Sequence, residues 1–273
     1  MIGQKPITER IDSWISKNEV PHFIIFIGSK GSGKSVLTKY LAEKFGAVYA
    51  LSDIKVDAIR EVIDTAYNAQ DKVVYHIKDA DTMRAEAKNA MLKITEEPPK
   101  NAYFVMSVQS DASLLDTIKS RAQVLNLCAY SKDDIMLYGK KYTQSELLQT
   151  AIDVADTPYQ LDLIMKYGKD FLDYVQLVFE SIGEVVSANA FKSGKNLAFK
   201  DEPDKYDIAL FFKMFIKLVE DKIYKEGQYE NIWADVIIVT NKYLDKVSKL
   251  GVNKQQLYDS WVFEIREVMI DGE

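Results

Sequence analysis

Residues 28–35 read Gly-Ser-Lys-Gly-Ser-Gly-Lys-Ser and follow the apolar run Phe23-Ile24-Ile25-Phe26-Ile27. This is a complete G-x-x-x-x-G-K-[ST] phosphate-binding loop in the context it needs, a buried strand before it and a helical pattern after it. Gly28, Gly31 and Gly33 let the backbone curl, so that successive N–H groups from Ser29, Lys30 and Ser32 onward face one anion. A helix beginning near Lys34 adds the positive end of its dipole. The Lys34 ammonium can reach the outer phosphates of a nucleotide, and the Ser35 hydroxyl can ligate Mg²⁺. The bland alternative is a Gly/Ser-rich turn that only joins strand to helix. The strand and the helix pattern both weigh against it.

The rest of the first half alternates strand and helix signals, as a parallel α/β sheet requires. Val36–Lys44 carries Val36, Leu37, Tyr40 and Leu41 in helical phase and stops at Gly46. Val56–Ala69 repeats the pattern with Val56, Ile59, Val62, Ile63 and Ala66. Val73–Ile77, Tyr103–Val108 and Val124–Leu127 read as strands, the first suited to burial on both faces. Arg84–Glu97 is a helix ended by Pro98-Pro99, and Leu114–Arg121 is a short one. From Ser131 onward nearly every segment reads as helix: one through Ile135–Leu137 capped by Ser131, then Ser145–Ala155, Pro158–Tyr167, Phe171–Phe191, Tyr206–Lys225, Asn231–Leu250 and Asn253–Ile270. The polar stretch Ser193–Lys205 reads as a loop, with Asp201-Glu202-Pro203-Asp204 as its solvated acidic part. The stripe Phe211, Phe212, Phe215, Leu218, Val219 predicts a helical-bundle core, with some of it available to another subunit.

Composition narrows the classes further. With 273 residues the chain has room for two or three domains. No apolar run approaches the ~18–20 residues of a membrane span, and the N-terminus lacks the apolar stretch of a signal peptide. A soluble, cytoplasmic protein is therefore expected. One cysteine, Cys128, excludes an internal disulfide and a multi-cysteine zinc site, and two histidines make any zinc site a poor reading. A net charge of −6 argues against a protein that coats nucleic acid alone, though not against one sharing a DNA contact with basic neighbours.

The segment Asn89-Ala90-Met91-Leu92-Lys93-Ile94-Thr95-Glu96-Glu97-Pro98-Pro99 closely resembles the N-A-L-L-K-x-x-E-E-P-P segment of bacterial clamp-loader AAA+ ATPases, the gamma/tau and delta-prime subunits of DNA polymerase III. Other resemblances follow in order. They are Gly3-Gln4 near the adenine pocket, His22–Phe26 before the loop, the Ile54–Arg60 segment, and Thr117-Ile118-Lys119-Ser120-Arg121 at the end of the domain, with Ala122 in place of cysteine. The resemblance covers residues 1–127 well and the remainder only by length and order. It implies an AAA+ P-loop domain with a five-stranded parallel sheet over 1–129, a small helical lid over 130–170 and an all-helical collar over 171–273. The family's zinc module is missing, so the resemblance is to a short version of the subunit, and delta-prime suits it better than tau, which carries further C-terminal domains. The implied partners are other clamp-loader subunits met through the collar, a sliding clamp and, within the complex, primer-template DNA, with no membrane. ATP is the implied ligand, with Mg²⁺ through Ser35.

The departures bear on chemistry. The family ends the strand before the N-A-L-L-K helix in two acids, one for the metal and one for the attacking water. Here Lys78 falls on the metal position and Asp79 on the catalytic one. An ammonium cannot ligate Mg²⁺. A local bulge that makes Asp79 the metal ligand remains open at this stage. Gln109 aligns with the polar residue that watches the γ-phosphate, or is a plain loop glutamine. The lid arginine has no counterpart in Thr157-Pro158-Tyr159-Gln160-Leu161. Arg121 is retained and by resemblance reaches a neighbouring subunit's ATP site. His76, inside a predicted strand, reads as a hydrogen-bonded core residue. Three classes stay in play: a clamp-loader subunit, a free-standing P-loop ATPase and a nucleotide-independent adaptor.

Overall fold

The computed structural model describes residues 2–110, 112, 114–183, 206–226, 230–247 and 253–271. The chain divides into two compact units: residues 1–138 with 156–159, and residues 139–155 with 160–273.

In the first unit, five strands form one parallel sheet: β1 (Phe23–Ile27), β2 (Val48–Ser52), β3 (Val73–Ile77), β4 (Ala102–Val108) and β5 (Gln123–Asn126), in the order β2-β3-β4-β1-β5. The register sets Phe23 beside Phe104, Tyr75 beside Phe104, and Ile25 beside Val124. Successive side chains leave opposite faces of a strand, so the apolar runs split between two cores. Phe23, Ile25, Tyr75, Ile77, Phe104 and Met106 face α3 (Val56–Tyr67) and α4 (Ala85–Glu96). Ile24, Phe26, Val74 and Val105 face α1 (Lys5–Lys17) and α2 (Lys34–Phe45). Helix α4 ends just ahead of Pro98-Pro99, and α2 ends at Gly46, whose φ of 66° suits a residue without Cβ. A short α5 (Asp116–Lys119) occupies the core of the Leu114–Arg121 segment. Helix α6 (Lys132–Gly139) opens with reciprocal capping, Asp134 N–H donating to Ser131 Oγ at 3.1 Å and Ser131 N–H to Asp134 Oδ2 at 3.0 Å.

The second unit is helical. Helix α7 (Glu146–Val154) is capped by Ser145, whose Oγ accepts from Leu148 N–H, and α8 (Pro158–Tyr167) starts on proline. They are followed by α9 (Lys169–Gly183), α10 (Ile208–Glu226), α11 (Glu230–Val247) and α12 (Lys254–Asp271). Phe211, Phe212 and Phe215 are fully buried around Trp261, with Phe215 meeting it edge-on at 4.8 Å between centroids. The phenylalanine stripe is thus the core of its own unit. Trp261 Nε1–H donates to Thr240 Oγ1 at 3.1 Å, and Thr240 in turn donates to Val236 C=O at 2.7 Å. Among the described residues no helix is long and apolar enough to cross a membrane. The expected loop Ser193–Lys205, its acidic run and the far part of the Phe171–Phe191 helix lie outside the described residues.

Candidate nucleotide site

The loop Gly28–Ser35 joins β1 to α2, and its glycines have separate reasons. Gly31 and Gly33 adopt φ of 84° and 97°, where a Cβ is disfavoured. Gly28 lies in close quarters instead: a Cβ there would come within 2.6 Å of Ser32 Oγ. The Ser32 hydroxyl is buried with no hydrogen-bond partner among the described residues. Ser35 follows Lys34 in the first turn of α2 and is half-buried.

Lys34 is almost completely covered, and its ammonium donates to Gly28 C=O at 2.5 Å and Ser29 C=O at 2.8 Å. Burial pulls its pKa below the usual lysine value, while the carboxylates of Asp79 and Asp81 pull it back up. The ammonium therefore sits within electrostatic reach of both acids. It can exchange loop carbonyls for phosphate oxygens without leaving the loop.

Strand β3 ends at Ile77, and Lys78 follows, half-buried and by alternation on the same side as His76. Asp79 is exposed and left-handed, with φ of 51°, at the entry to a single 3-10 turn, Ala80–Thr82. Asp81 lies within that turn, and its Oδ2 accepts the N–H of Gln109 at 3.1 Å. So Asp79, Asp81, Gln109 and Lys34 are brought to one end of the sheet. The structure adds Asp81 to the candidate residues. Its sequence signal was faint, an acid two places past the expected pair.

His76 is fully buried between two hydroxyls, Tyr49 Oη at 2.8 Å from Nδ1 and Ser107 Oγ at 2.6 Å from Nε2. Burial first, then the positive charges of Lys78, Lys34 and Lys39, push its pKa down to about 4. It is the hydrogen-bonded core histidine that its position in a strand predicts.

Other residues close the loop from a distance in sequence. A Cβ on Gly31 would lie 2.5 Å from Tyr159 Cβ and 2.8 Å from Thr157 Oγ1, so Thr157 and Tyr159 cover the loop tip. The Lys30 ammonium lies 5.4 Å from the Tyr159 ring centroid. Tyr130 Oη donates to Ser32 C=O at 3.0 Å, and its ring packs against Gly3. Gln4 is fully buried and makes two hydrogen bonds to the backbone of Cys128, donating to its C=O at 2.8 Å and accepting its N–H at 3.0 Å. Gln4 had a sequence signal in the Gly-Gln pair, and Thr157 and Tyr159 lie in the stretch expected near the nucleotide, whereas Tyr130 had none.

Arg121 does not join this group. Its Nη1 donates to Thr117 C=O at 3.0 Å and its Nη2 to Glu96 Oε1 at 3.2 Å, and neither partner belongs to the loop.

Residues 45–131 match the family described as DNA polymerase III, delta subunit. The chain is 39% identical over 106 residues to DNA polymerase III subunit delta' of Haemophilus influenzae, covering 37% of this chain and 32% of that one. It is 22% identical over 198 residues to the Replication factor C small subunit of Halobacterium salinarum, covering 67% and 61%. The matched region thus spans between about a third and three fifths of these relatives' length. Among solved structures, a DNA polymerase III gamma subunit-related protein from Thermotoga maritima shares the fold at a TM-score of 0.59 and 16% identity, over 94% of this chain and 98% of that one. Over part of its length the chain is thus similar to a DNA polymerase III subunit and a Replication factor C small subunit, and it shares its fold with a DNA polymerase III gamma subunit-related protein.

Proposed function

We propose that this chain is a delta-prime-type subunit of a sliding-clamp loader. It binds ATP at Gly28–Ser35, presents Arg121 to the ATP site of a neighbouring subunit and hydrolyses its own nucleotide slowly. Residues 1–129 form its nucleotide domain, 130–170 its lid, and 171–273 the collar through which it joins the other subunits. The clamp and primer-template DNA are met by the assembled complex. The observation that carries this reading is the separation of the two cations. Lys34 is folded into the loop, whereas Arg121 sits on the outside of the same unit with partners unrelated to the loop.

A triphosphate fits the loop. Two positive-φ glycines, a helix N-terminus, a covered ammonium and an orphaned buried hydroxyl at Ser32 all suit an anion. Mg²⁺ fits less well. Among the described residues no group of three acids, histidines or cysteines forms a metal cage, so the ion would be held through the nucleotide and Ser35. When bound, it would neutralise phosphate charge. By the resemblance Lys78 stands where the family carries the metal-binding acid, and a positive charge there would disfavour the ion and slow turnover.

Isolating the tagged chain from its native cell should bring down clamp-loader and polymerase components. A lone active monomer would favour a free-standing ATPase. In single-turnover assays the purified chain should fall well below the ~1 s⁻¹ ordinary for enzymes, and Lys78→Asp should raise Mg²⁺-dependent turnover. Brisk turnover by the native chain would assign the metal to Asp79 or Asp81. The nucleotide-independent adaptor is favoured by one observation, the Lys34 ammonium already engaged with loop carbonyls. Absence of any ATP affinity would decide for it.

A further inference from the structure

Arg121 is held by a small, specific fixture. In the four-residue helix α5 the carbonyls of Asp116, Ile118 and Lys119 accept the backbone N–H groups of Ser120, Arg121 and Ala122. On the remaining carbonyl, Thr117 C=O, two side chains converge: Ser120 Oγ donates at 3.1 Å and Arg121 Nη1 at 3.0 Å. The other side of the guanidinium, Nη2, donates to Glu96 Oε1 at 3.2 Å. Glu96 is the last residue of α4, and Pro98-Pro99 forbids the helix to continue, so the carboxylate stands at a fixed end of a rigid element. The guanidinium plane is therefore set by two points on two different helices. The side chains of the pair are 39% and 61% exposed, so the bond adds little to the stability of the fold. What it does constrain is the direction of a long, otherwise rotamer-rich arginine.

We propose that Glu96 is the positioning residue of Arg121. This rests on the reading that Arg121 acts on a neighbouring subunit's nucleotide. Glu96 aligns the guanidinium at the surface before the neighbour's phosphates arrive. A single exposed carboxylate then yields to a triphosphate, which offers more charge and more acceptor oxygens. Pre-orientation lowers the ordering cost of the step that Arg121 assists, so the effect belongs in kcat.

The test uses the assembled complex, rebuilt with full-length chain and the partner subunits that co-isolate with it, and reads ATPase kinetics. Glu96→Ala should lower kcat about two- to fivefold, the range an exposed ion pair governs, with KM unchanged. Glu96→Gln keeps an acceptor oxygen at the same reach and should recover part of the loss. Glu96→Asp is one methylene short and should behave like Glu96→Ala. In an Arg121→Ala background, Glu96→Ala should have no further effect. An additional loss there, or a lowered melting temperature of the isolated chain, would mark Glu96 as merely structural and overturn the proposal. So would native kcat in Glu96→Ala when Arg121→Ala is impaired. If Arg121→Ala is itself fully active, the trans reading fails, and the positioning role fails with it.

Discussion

In the first unit, buried polar side chains gather at the carboxyl ends of the strands: Ser52, His76 and Ser107 on the strands, Ser32 and Lys34 just past β1, with Gln4 and Thr157 closing in from elsewhere. In the second unit, among the described residues and the aromatic ones aside, Thr240 alone is buried and polar, and it serves to hold the indole of Trp261. Burying a polar group costs free energy unless it is hydrogen-bonded. The first unit meets that cost at many points and gains a surface of converging charges and hydroxyls at the place where open α/β sheets bind ligands. The second meets it at few points, Thr240 with the Trp261 indole and the Tyr258 hydroxyl with Tyr174, and gains a rigid aromatic core. One unit is organised for chemistry, the other for packing.

Trp261→Ala should strike hardest. Removing a fully buried indole from a nest of three phenylalanines leaves a cavity and takes away the N–H that Thr240 accepts, at a cost of about 3–5 kcal/mol. Urea unfolding followed by circular dichroism should show helices of the second unit melting early, with nucleotide affinity retained. Simultaneous loss of affinity would show that the units are not separable in this sense.

His76 should give the next largest effect, and it belongs to the first unit. Its folded pKa of about 4 lies below the ordinary 6.5, so neutral His76 favours the fold at and above pH 6.5. As the pH falls from 6.5 towards 4, the unfolded chain takes up a proton that the folded chain refuses. Stability should drop by about 3 kcal/mol across that window. His76→Gln should flatten this part of the stability profile. An unaltered slope would place the acid sensitivity elsewhere.

Lys34→Ala should be the mildest for the fold and the most telling for function. It removes a charge-assisted contact of ~1.5–3 kcal/mol to phosphate, so titration with a fluorescent ATP analogue should show affinity lowered about tenfold or more. The unfolding of the second unit should not change. Undiminished affinity would remove the loop from the nucleotide reading.

Much of the first unit was legible in the sequence because backbone geometry dictated residue type. The glycines of the loop, the apolar runs of β1, β3 and β4, and the proline stop after α4 each leave a local signature. Helix α1 was not among the expected elements, although Ile7, Ile11, Trp14 and Ile15 recur in helical phase ahead of the first strand. Strand β2 is different. It is an edge strand with Val48 and Leu51 largely exposed, so Val-Tyr-Ala-Leu-Ser shows neither clean alternation nor a continuous buried run. Tyr130 was not legible as part of the site, and Thr157 and Tyr159 were legible only as the place of an expected arginine, because their meaning lies in contacts with residues far away in the chain. Asp81 was obscured by register, since a strand end followed by a 3-10 turn does not count residues as a straight strand does.

The paired bonds between Gln4 and Cys128 join positions 124 apart, yet they read only the backbone at residue 128. Any amino acid with an N–H can stand there without disturbing them. Position 4 must supply an amide of the right length, while position 128 is free to drift. Two such sites carry no mutual information across a set of diverging sequences. A contact of this kind would be invisible to any comparison that looks for paired changes, however deep the comparison is. It would surface only as an unexplained intolerance of substitution at Gln4.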